Sequence, residues 1–335
     1  MEIRLNHRIC RSREEILNAS TPEVAAFLDE WFAPSDFVWG HTSGSTGTPK
    51  PVRLLKRDME ASARLTNDFF DITCRSGMLL CLSPDYIAGK MMIVRALLSG
   101  ADLLVVTPSS LPLTAIDEPI DFAAMVPAQV VESLKSTMQK SRLSRITSLI
   151  IGGAPLSPGT EVELEKLPVD MYATYGMTET VSHVALRRIG DSLSLYCALG
   201  GISFSIDERN CLIIHAPHFS VKEFVTNDVV ELVDSRNFRW IGRYDHVINT
   251  GGIKVFPELI EKKIAGLFTR RFFVTSCDDL KWGALVIEGE ALSLEQEKIF
   301  LEKIRAKVNK YEFPRKVLYV QKFKETSSGK VIRNI

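Results

Sequence analysis

Residues His41-Thr42-Ser43-Gly44-Ser45-Thr46-Gly47-Thr48-Pro49-Lys50 crowd hydroxyl side chains, two glycines and a lysine into one short stretch. Glycine lets backbone N–H groups approach an anion, and hydroxyls and an ammonium add donors, so this composition suits a phosphate. The spacing G-x-x-x-x-G-K-[ST] is not met, which sets the stretch apart from a Walker loop. A plain Ser/Thr/Gly linker is the competing reading; the apolar sequence around it argues against that. A second stretch, Tyr172-Ala173-Thr174-Tyr175-Gly176-Met177-Thr178-Glu179-Thr180, groups aromatic faces, a glycine, hydroxyls and a carboxylate. Glu179 suits Mg²⁺, a hard cation that takes oxygen ligands and bridges to phosphates. A helix cap with Thr178 at the N-terminus explains the same residues equally well.

Such side chains need elements to position them. The spacing from Ser20 to Glu23, with Pro22 just inside, predicts a capped helix running to Phe32. Residues 78–82, 102–107, 148–151 and 169–174 have strand character, and residues 87–98, 127–139 and 157–166 read as helices. This alternation predicts an α/β fold with a mainly parallel sheet, whose ligands bind beyond the carboxyl ends of the strands. Residues 204–206, 212–215, 229–233 and 238–241 then predict a β-rich subdomain. After Gly242 come short strands and two amphipathic helices, residues 257–268 and 294–308, the latter with Ser293 and Gln296 at capping-box spacing. The expected organisation is a large N-terminal domain, residues 1–242, and a small mobile α+β domain, residues 243–335.

Composition narrows the function classes. The 335 residues suggest about two domains. The 41 Lys+Arg balance the 41 Asp+Glu, so no general pull toward nucleic acid or an anionic membrane is expected. Six cysteines lie scattered without a C-x-x-C pair, which argues against structural zinc and for buried, reduced thiols. His215 and His218 flank Pro217 with no carboxylate beside them in sequence, so they are not read as a metal pair. The N-terminus is charged from the start, unlike a signal peptide, and no apolar stretch approaches the ~18 residues that span a bilayer. A cytoplasmic protein without membrane insertion is expected; its oligomeric state is left open.

Together the two chemical segments resemble the signatures of the acyl-adenylate-forming superfamily. The first is similar to its [ST]-S-G-[ST]-T-G-x-P-K loop and the second to its Y-G-x-T-E motif. Gly152-Gly153-Ala154 is similar to the G-G-A segment beside the adenine. Thr226-Asn227-Asp228 stands where the family has T-G-D, with Asn, which tolerates left-handed backbone geometry, in place of the glycine. The run from Gly242 to Ile248 is similar to the interdomain hinge, and Gly251-Gly252-Ile253-Lys254-Val255 with Pro257, Glu258 and Glu261 to G-x-K-[IV]-x-P-x-E-[IV]-E. Thr326-Ser327-Ser328-Gly329-Lys330 is similar to the terminal T-x-x-G-K. The stretch preceding Thr42 is far shorter than the family's.

The resemblance implies two half-reactions with ATP, Mg²⁺ and CoA. A carboxylate attacks the α-phosphate of ATP and pyrophosphate leaves; a thiol then takes the acyl group and AMP leaves. Thr42, Ser43, Gly44, Ser45, Thr46, Gly47 and Lys50 would hold the β/γ-phosphates. Gly152, Gly153, Ala154, Tyr175 and Gly176 would surround the nucleotide, and Asp228 and Arg243 would hold the ribose. Glu179 would ligate the metal, with Thr178 near the α-phosphate. Lys330 would bridge the carboxylate and α-phosphate. A swing about Asp245 would replace Lys330 by Gly251, Gly252 and Lys254 at the thiol tunnel.

The acid is read from residues 83–101. Ser83-Pro84-Asp85-Tyr86 and the run from Ile93 to Ala101 resemble the o-succinylbenzoate–CoA ligases of menaquinone synthesis, whose substrate carries two carboxylates. Arg95 is the candidate partner of the non-reacting carboxylate, Lys90 the second, and Tyr86 and His183 are candidate pocket residues. Two solvated charges on a surface helix explain Lys90 and Arg95 as well. The alternatives are a ligase for another aromatic or dicarboxylic acid, an adenylation protein loading a carrier thiol, and a nucleotide binder without turnover.

Overall fold

In a computed structural model of the chain, the described residues are 2–42, 50–250, 252–277, 280–325 and 331–333; the side chains of residues 41, 42, 50, 277 and 280–282 are not described. The chain divides into two compact units. One comprises Met1–Leu156, Thr160–Ser203 and His215–Phe224; the other comprises Ser157–Gly159, Phe204–Ile214 and Val225–Ile335.

Six strands of the first unit run parallel, in the order Asp170–Gly176, Ile146–Ile151, Ile120–Met125, Gly77–Leu80, Asp102–Val105, Ile3–Leu5. Antiparallel strands flank them, Arg8–Cys10 at one edge and His183–Arg188 with Tyr196–Ala198 at the other. Alternate side chains feed two separate cores because successive strand residues point to opposite faces. Met78, Leu80, Leu103, Phe122, Ala124 and Ile150 pack into one, and Leu79, Leu104, Ala123, Met125, Leu149 and Ile151 into the other. A sheet buried on both faces needs near-continuous apolar strands, and the central pair, Gly77–Leu80 and Asp102–Val105, comes near this.

The mixed α/β expectation holds, with local differences. Thr21, not Ser20, caps the helix Pro22–Phe32, and Ser12 caps an earlier helix, Arg13–Ala19, in a full capping box with Glu15. The helix expected over 127–139 is two, Pro127–Lys135 and Thr137–Leu143, because the Ser136 hydroxyl accepts the Gln139 N–H and starts a new cap. The strand Ile120–Met125 and the helix Lys56–Phe69 add to the expected elements; the helix is amphipathic, and its buried face is Met59, Ser62, Ala63, Thr66 and Asn67, small and partly polar. Cys10, Cys81 and Cys211 are buried, but Cys74 and Cys197 are exposed, because both lie outside the apolar strand faces. The loop expected to hold phosphate joins the strands Phe37–Thr42 and Lys50–Leu55, whose register pairs Thr42 with Lys50.

The strand Glu223–Asp234, which belongs to the second unit from Val225 on, pairs with Asn237–Arg243 as an antiparallel ribbon. Further on, Phe272–Cys277, Leu280–Glu288 and Lys316–Val320 form a three-stranded sheet. The helices Pro257–Ile264 and Leu294–Arg305 pack through Ile260, Ile264 and Ile304 onto Val274, Leu285 and Ile287. The first of these helices stops short of the expected residue 268, giving way to a 3₁₀ turn at Ala265–Leu267. Ser293 and Gln296 form the expected capping box.

Candidate active site

The parallel strands of the first unit deliver three predicted segments to their carboxyl ends. Ser83-Pro84-Asp85-Tyr86 follows Gly77–Leu80, Gly152-Gly153-Ala154 follows Ile146–Ile151, and Met177-Thr178-Glu179 follows Asp170–Gly176. Strand order reverses at Gly77–Leu80, whose neighbours Asp102–Val105 and Ile120–Met125 lie on opposite sides, the place where open α/β sheets bind ligands.

Glycine is required at several of these turns by close approach. A Cβ on Gly152 would lie 2.3 Å from Thr174 Oγ1, and one on Gly176 2.3 Å from the Ser182 carbonyl oxygen. Gly153 has φ +89°, in the left-handed region. The Ala154 and Thr178 side chains are half-buried and Glu179 is exposed. Residues 177–182 are the loop of a hairpin whose neck pairs Gly176 with His183, so the helix-cap reading of Thr178 does not hold. Tyr175 lies 5.7 Å, ring to ring, from Tyr196. Arg187 sits over Tyr196 and is gripped at both nitrogens by Glu161, at 2.6 and 3.0 Å.

Lys90 and Arg95 are both buried, on the helix Ile87–Ser99, whose residues Gly89 to Ala96 are all buried. The reading of two solvated charges therefore fails. Gly89 makes this packing possible: a Cβ there would lie 2.2 Å from the Ser83 carbonyl oxygen. Lys90 already has partners, Glu30 at 3.5 Å and the face of Phe27 at 4.6 Å, and lines a cavity of about 350 Å³. Arg95 differs. Its side chain is only 1% exposed, it donates to Ser182 Oγ at 2.9 Å and lies 3.6 Å from the Met92 sulfur. Its Nε–H has no acceptor, and among the described residues no carboxylate lies within ion-pair distance. Burial lowers the guanidinium to about 9. Beside it, His183 is buried between Thr66 Oγ1 at 3.2 Å and Ser182 Oγ at 3.3 Å. Burial, with the Arg95 charge adding, holds the imidazole well below its ordinary range, hence neutral. Tyr86 is half exposed, at the N-cap of the same helix. Thr66, Thr180 and Ser182 went unrecognised in the sequence because hydroxyls carry no spacing signature.

In the second unit, strand register sets Asp228 directly opposite Arg243. Their side chains approach to 3.7 Å, Trp240 Nε1–H donates to Asp228 at 3.2 Å, and Thr226 Oγ1 accepts the Asp228 N–H. The turn with left-handed geometry expected at Asn227 is not formed: Asn227 lies within the strand Glu223–Asp234 without positive φ, and its Oδ1 accepts from Arg209 at 3.0 Å. Arg243 also reaches Asp245 at 2.8 Å, so Asp228, Arg243 and Asp245 form one chain of charges suited to a diol. Gly252 has φ +92° and open space around its Cα, and Lys254 is exposed with its ammonium 5.7 Å from the Tyr244 ring centre. In the first unit, His215, read as having no carboxylate neighbour in sequence, has one in space: Glu223 at 3.4 Å. Among the described residues no three His, Cys, Asp or Glu side chains cluster as a metal site. A lone exposed Glu179 fits a Mg²⁺ that takes its remaining ligands from substrate phosphates and water. Ser43, Gly44, Ser45, Thr46, Gly47, Gly251 and Lys330 lie outside the described residues.

Comparison with known proteins shows the family. The family described as AMP-binding enzyme matches residues 8–201. The 2-succinylbenzoate–CoA ligase of Enterococcus faecalis is 23% identical over 334 residues, covering 88% of this chain and 67% of that protein. A probable 2-succinylbenzoate–CoA ligase of Mycobacterium tuberculosis is 27% identical over 240 residues, 66% of this chain and 61% of that protein. The chain thus spans about two thirds of the length of these relatives. Among solved structures, an acyl-CoA synthetase (AMP-forming)/AMP-acid ligase II-like protein from Dyadobacter fermentans is 34% identical with a TM-score of 0.64, covering 93% of each chain. The o-succinylbenzoate coenzyme A synthetase of Bacillus subtilis, in complex with ATP and magnesium ion, has a TM-score of 0.74 at 18% identity over 88% of this chain and 68% of that one. That likeness bears on the fold alone.

Proposed function

The chain belongs to the AMP-binding enzyme family, and we propose that it is an ATP-dependent acid–CoA ligase working through an acyl-adenylate, with o-succinylbenzoate as the acid. The observation that carries the choice of acid is Arg95: a buried guanidinium with an unmet Nε–H and no carboxylate partner among the described residues. A buried cation is costly unless paired, so the site is chemically complete only with an anion, and a dicarboxylic acid has one to spare after the other is activated. The names of the relatives point to the same acid.

The chemistry is positioning and charge neutralisation. The hydroxyls and N–H groups of residues 42–50 hold the β/γ-phosphates, and Tyr175, Gly176 and Gly152 to Ala154 receive the adenine and its neighbouring phosphate. Asp228 accepts from the ribose hydroxyls beside Arg243. Glu179 holds Mg²⁺, which supplies positive charge to the phosphates when bound. Lys330 stabilises charge on the carboxylate as it attacks. Residues 243–335 then turn about Asp245, and Gly251 to Lys254 guide the thiol in. Residues 1–242 keep the adenylate. The test is a panel of aromatic and dicarboxylic acids with ATP, Mg²⁺ and CoA, reading AMP and thioester. The reading expects o-succinylbenzoate to give the highest kcat/KM; CoA-independent pyrophosphate release with no thioester from any acid would overturn it.

A further inference from the structure

The loop carrying Thr178 and Glu179 contains a backbone outlier. Val181 has φ +63°, and the Ser182 N–H bonds the Thr180 carbonyl at 2.6 Å, closing a three-residue turn of the uncommon, strained hand. A β-branched residue rarely adopts positive φ. Such strain persists only where the surroundings over-determine it, and it concentrates at functional sites.

The surroundings here are specific. Thr180 is fully buried, and its hydroxyl accepts the Met177 N–H at 3.0 Å while reaching the Met177 and Ser182 carbonyls at 3.0 and 2.8 Å. The Thr180 and Val181 N–H groups bond the Met177 and Thr178 carbonyls. Val181 is 4% exposed and its side chain belongs to the main core. Ser182 is tied to Arg95 and His183. Every residue after Glu179 is thus pinned, while Glu179 itself stands exposed. We infer that Thr180 is a positioning residue: its buried hydroxyl locks the 177–182 loop in the strained form that presents the Glu179 carboxylate to the metal of Mg·ATP. This rests on the reading of Glu179 as a magnesium ligand.

The test is binding, which needs no acid. Calorimetry of the full chain with ATP plus Mg²⁺, and with ATP plus EDTA, yields a magnesium-dependent gain in affinity. Thr180→Val keeps the shape and loses the hydroxyl; it is expected to cut that gain about tenfold, the change a lost buried hydrogen bond brings, with metal-free ATP binding unaltered. Thr180→Ser, which keeps the hydroxyl, is expected to restore the gain. An equal loss in both titrations, no loss in either, or failure of Ser to rescue overturns the inference. If Thr180→Val does not fold by circular dichroism, Val181→Gly takes its place: glycine accepts the same φ without fixing it, and the gain is again expected to fall; an intact gain overturns the inference. Glu179→Gln separates the two levels. A full gain in that variant removes Glu179 from the metal, whereas a lost gain beside an intact one in Thr180→Val removes only the positioning role.

Discussion

Replacing Arg95 by methionine should stabilise the ligand-free protein and cripple it toward one class of acid. Methionine nearly matches the aliphatic stem and fills the site beside Met92 without a charge. Burial lowers the guanidinium from 12.5 to about 9, which corresponds to about 5 kcal/mol of unfavourable desolvation as an upper bound. The hydrogen bond to Ser182 offsets about 1.5–3 kcal/mol of this. Removing the charge should therefore leave the free protein more stable by at most about 2–3.5 kcal/mol, within the range seen when buried charges are replaced by apolar side chains. A higher urea midpoint at constant m-value would show it. In catalysis the sign reverses. Loss of the partner of a desolvated carboxylate costs about 2–5 kcal/mol, so kcat/KM for o-succinylbenzoate should fall between about 30-fold and several thousand-fold. A keto-acid analogue lacking the aromatic carboxylate should lose far less, and ATP binding should hardly change. Arg95→Lys should remain impaired, since an ammonium cannot copy the two-pronged fork. Destabilisation by Arg95→Met together with equal losses for both acids would refute the reasoning and make Arg95 a purely structural bridge to Ser182.

Four further outcomes are expected. Lys330→Ala should slow pyrophosphate release by on the order of 10²–10³ while sparing thioester formation from preformed acyl-adenylate; equal loss in both half-reactions would refute the division. Asp245→Pro, with φ fixed near −65°, should do the opposite and slow only transfer to CoA, as rapid-quench assays of the two steps would reveal. Gly89→Ala should lower stability by about 1–3 kcal/mol, because its methyl meets the Ser83 carbonyl oxygen; an unchanged denaturation midpoint would show that the helix shifts freely. His183 is buried neutral with its pKa depressed, so below the unfolded value of about 6.5 the unfolded chain binds the proton and the native state does not. Its contribution to stability is full above pH 6.5 and declines as the pH falls below it, and His183→Gln should flatten that part of the stability–pH curve.

What the sequence discloses and what it hides follow from how each property is encoded. Strands such as Gly77–Leu80 and Ile146–Ile151 are legible because a sheet buried on both faces must be apolar throughout, and motif order tells which turns sit at their carboxyl ends. The helix Lys56–Phe69 is amphipathic, but its buried face gives no hint of a site, since Ser62, Thr66 and Asn67 share it with Met59 and Ala63. Those polar residues have a reason: Thr66 meets His183, and Asn67 donates to the Arg95 carbonyl. The polar part of that buried face is thus a consequence of the buried polar cluster itself. The candidate cation was visible as a residue type on an otherwise apolar helix, but its depth and its unmet Nε–H depend on Ser182, 87 positions away, and distant pairings leave no local signal. The same holds for Asp228 and Arg243, whose opposition depends on the register of an irregular ribbon with two shifts. Local chemistry is readable from spacing, whereas the burial that turns Arg95 from an expected surface charge into a buried cation with an unmet Nε–H emerges only when the chain is folded.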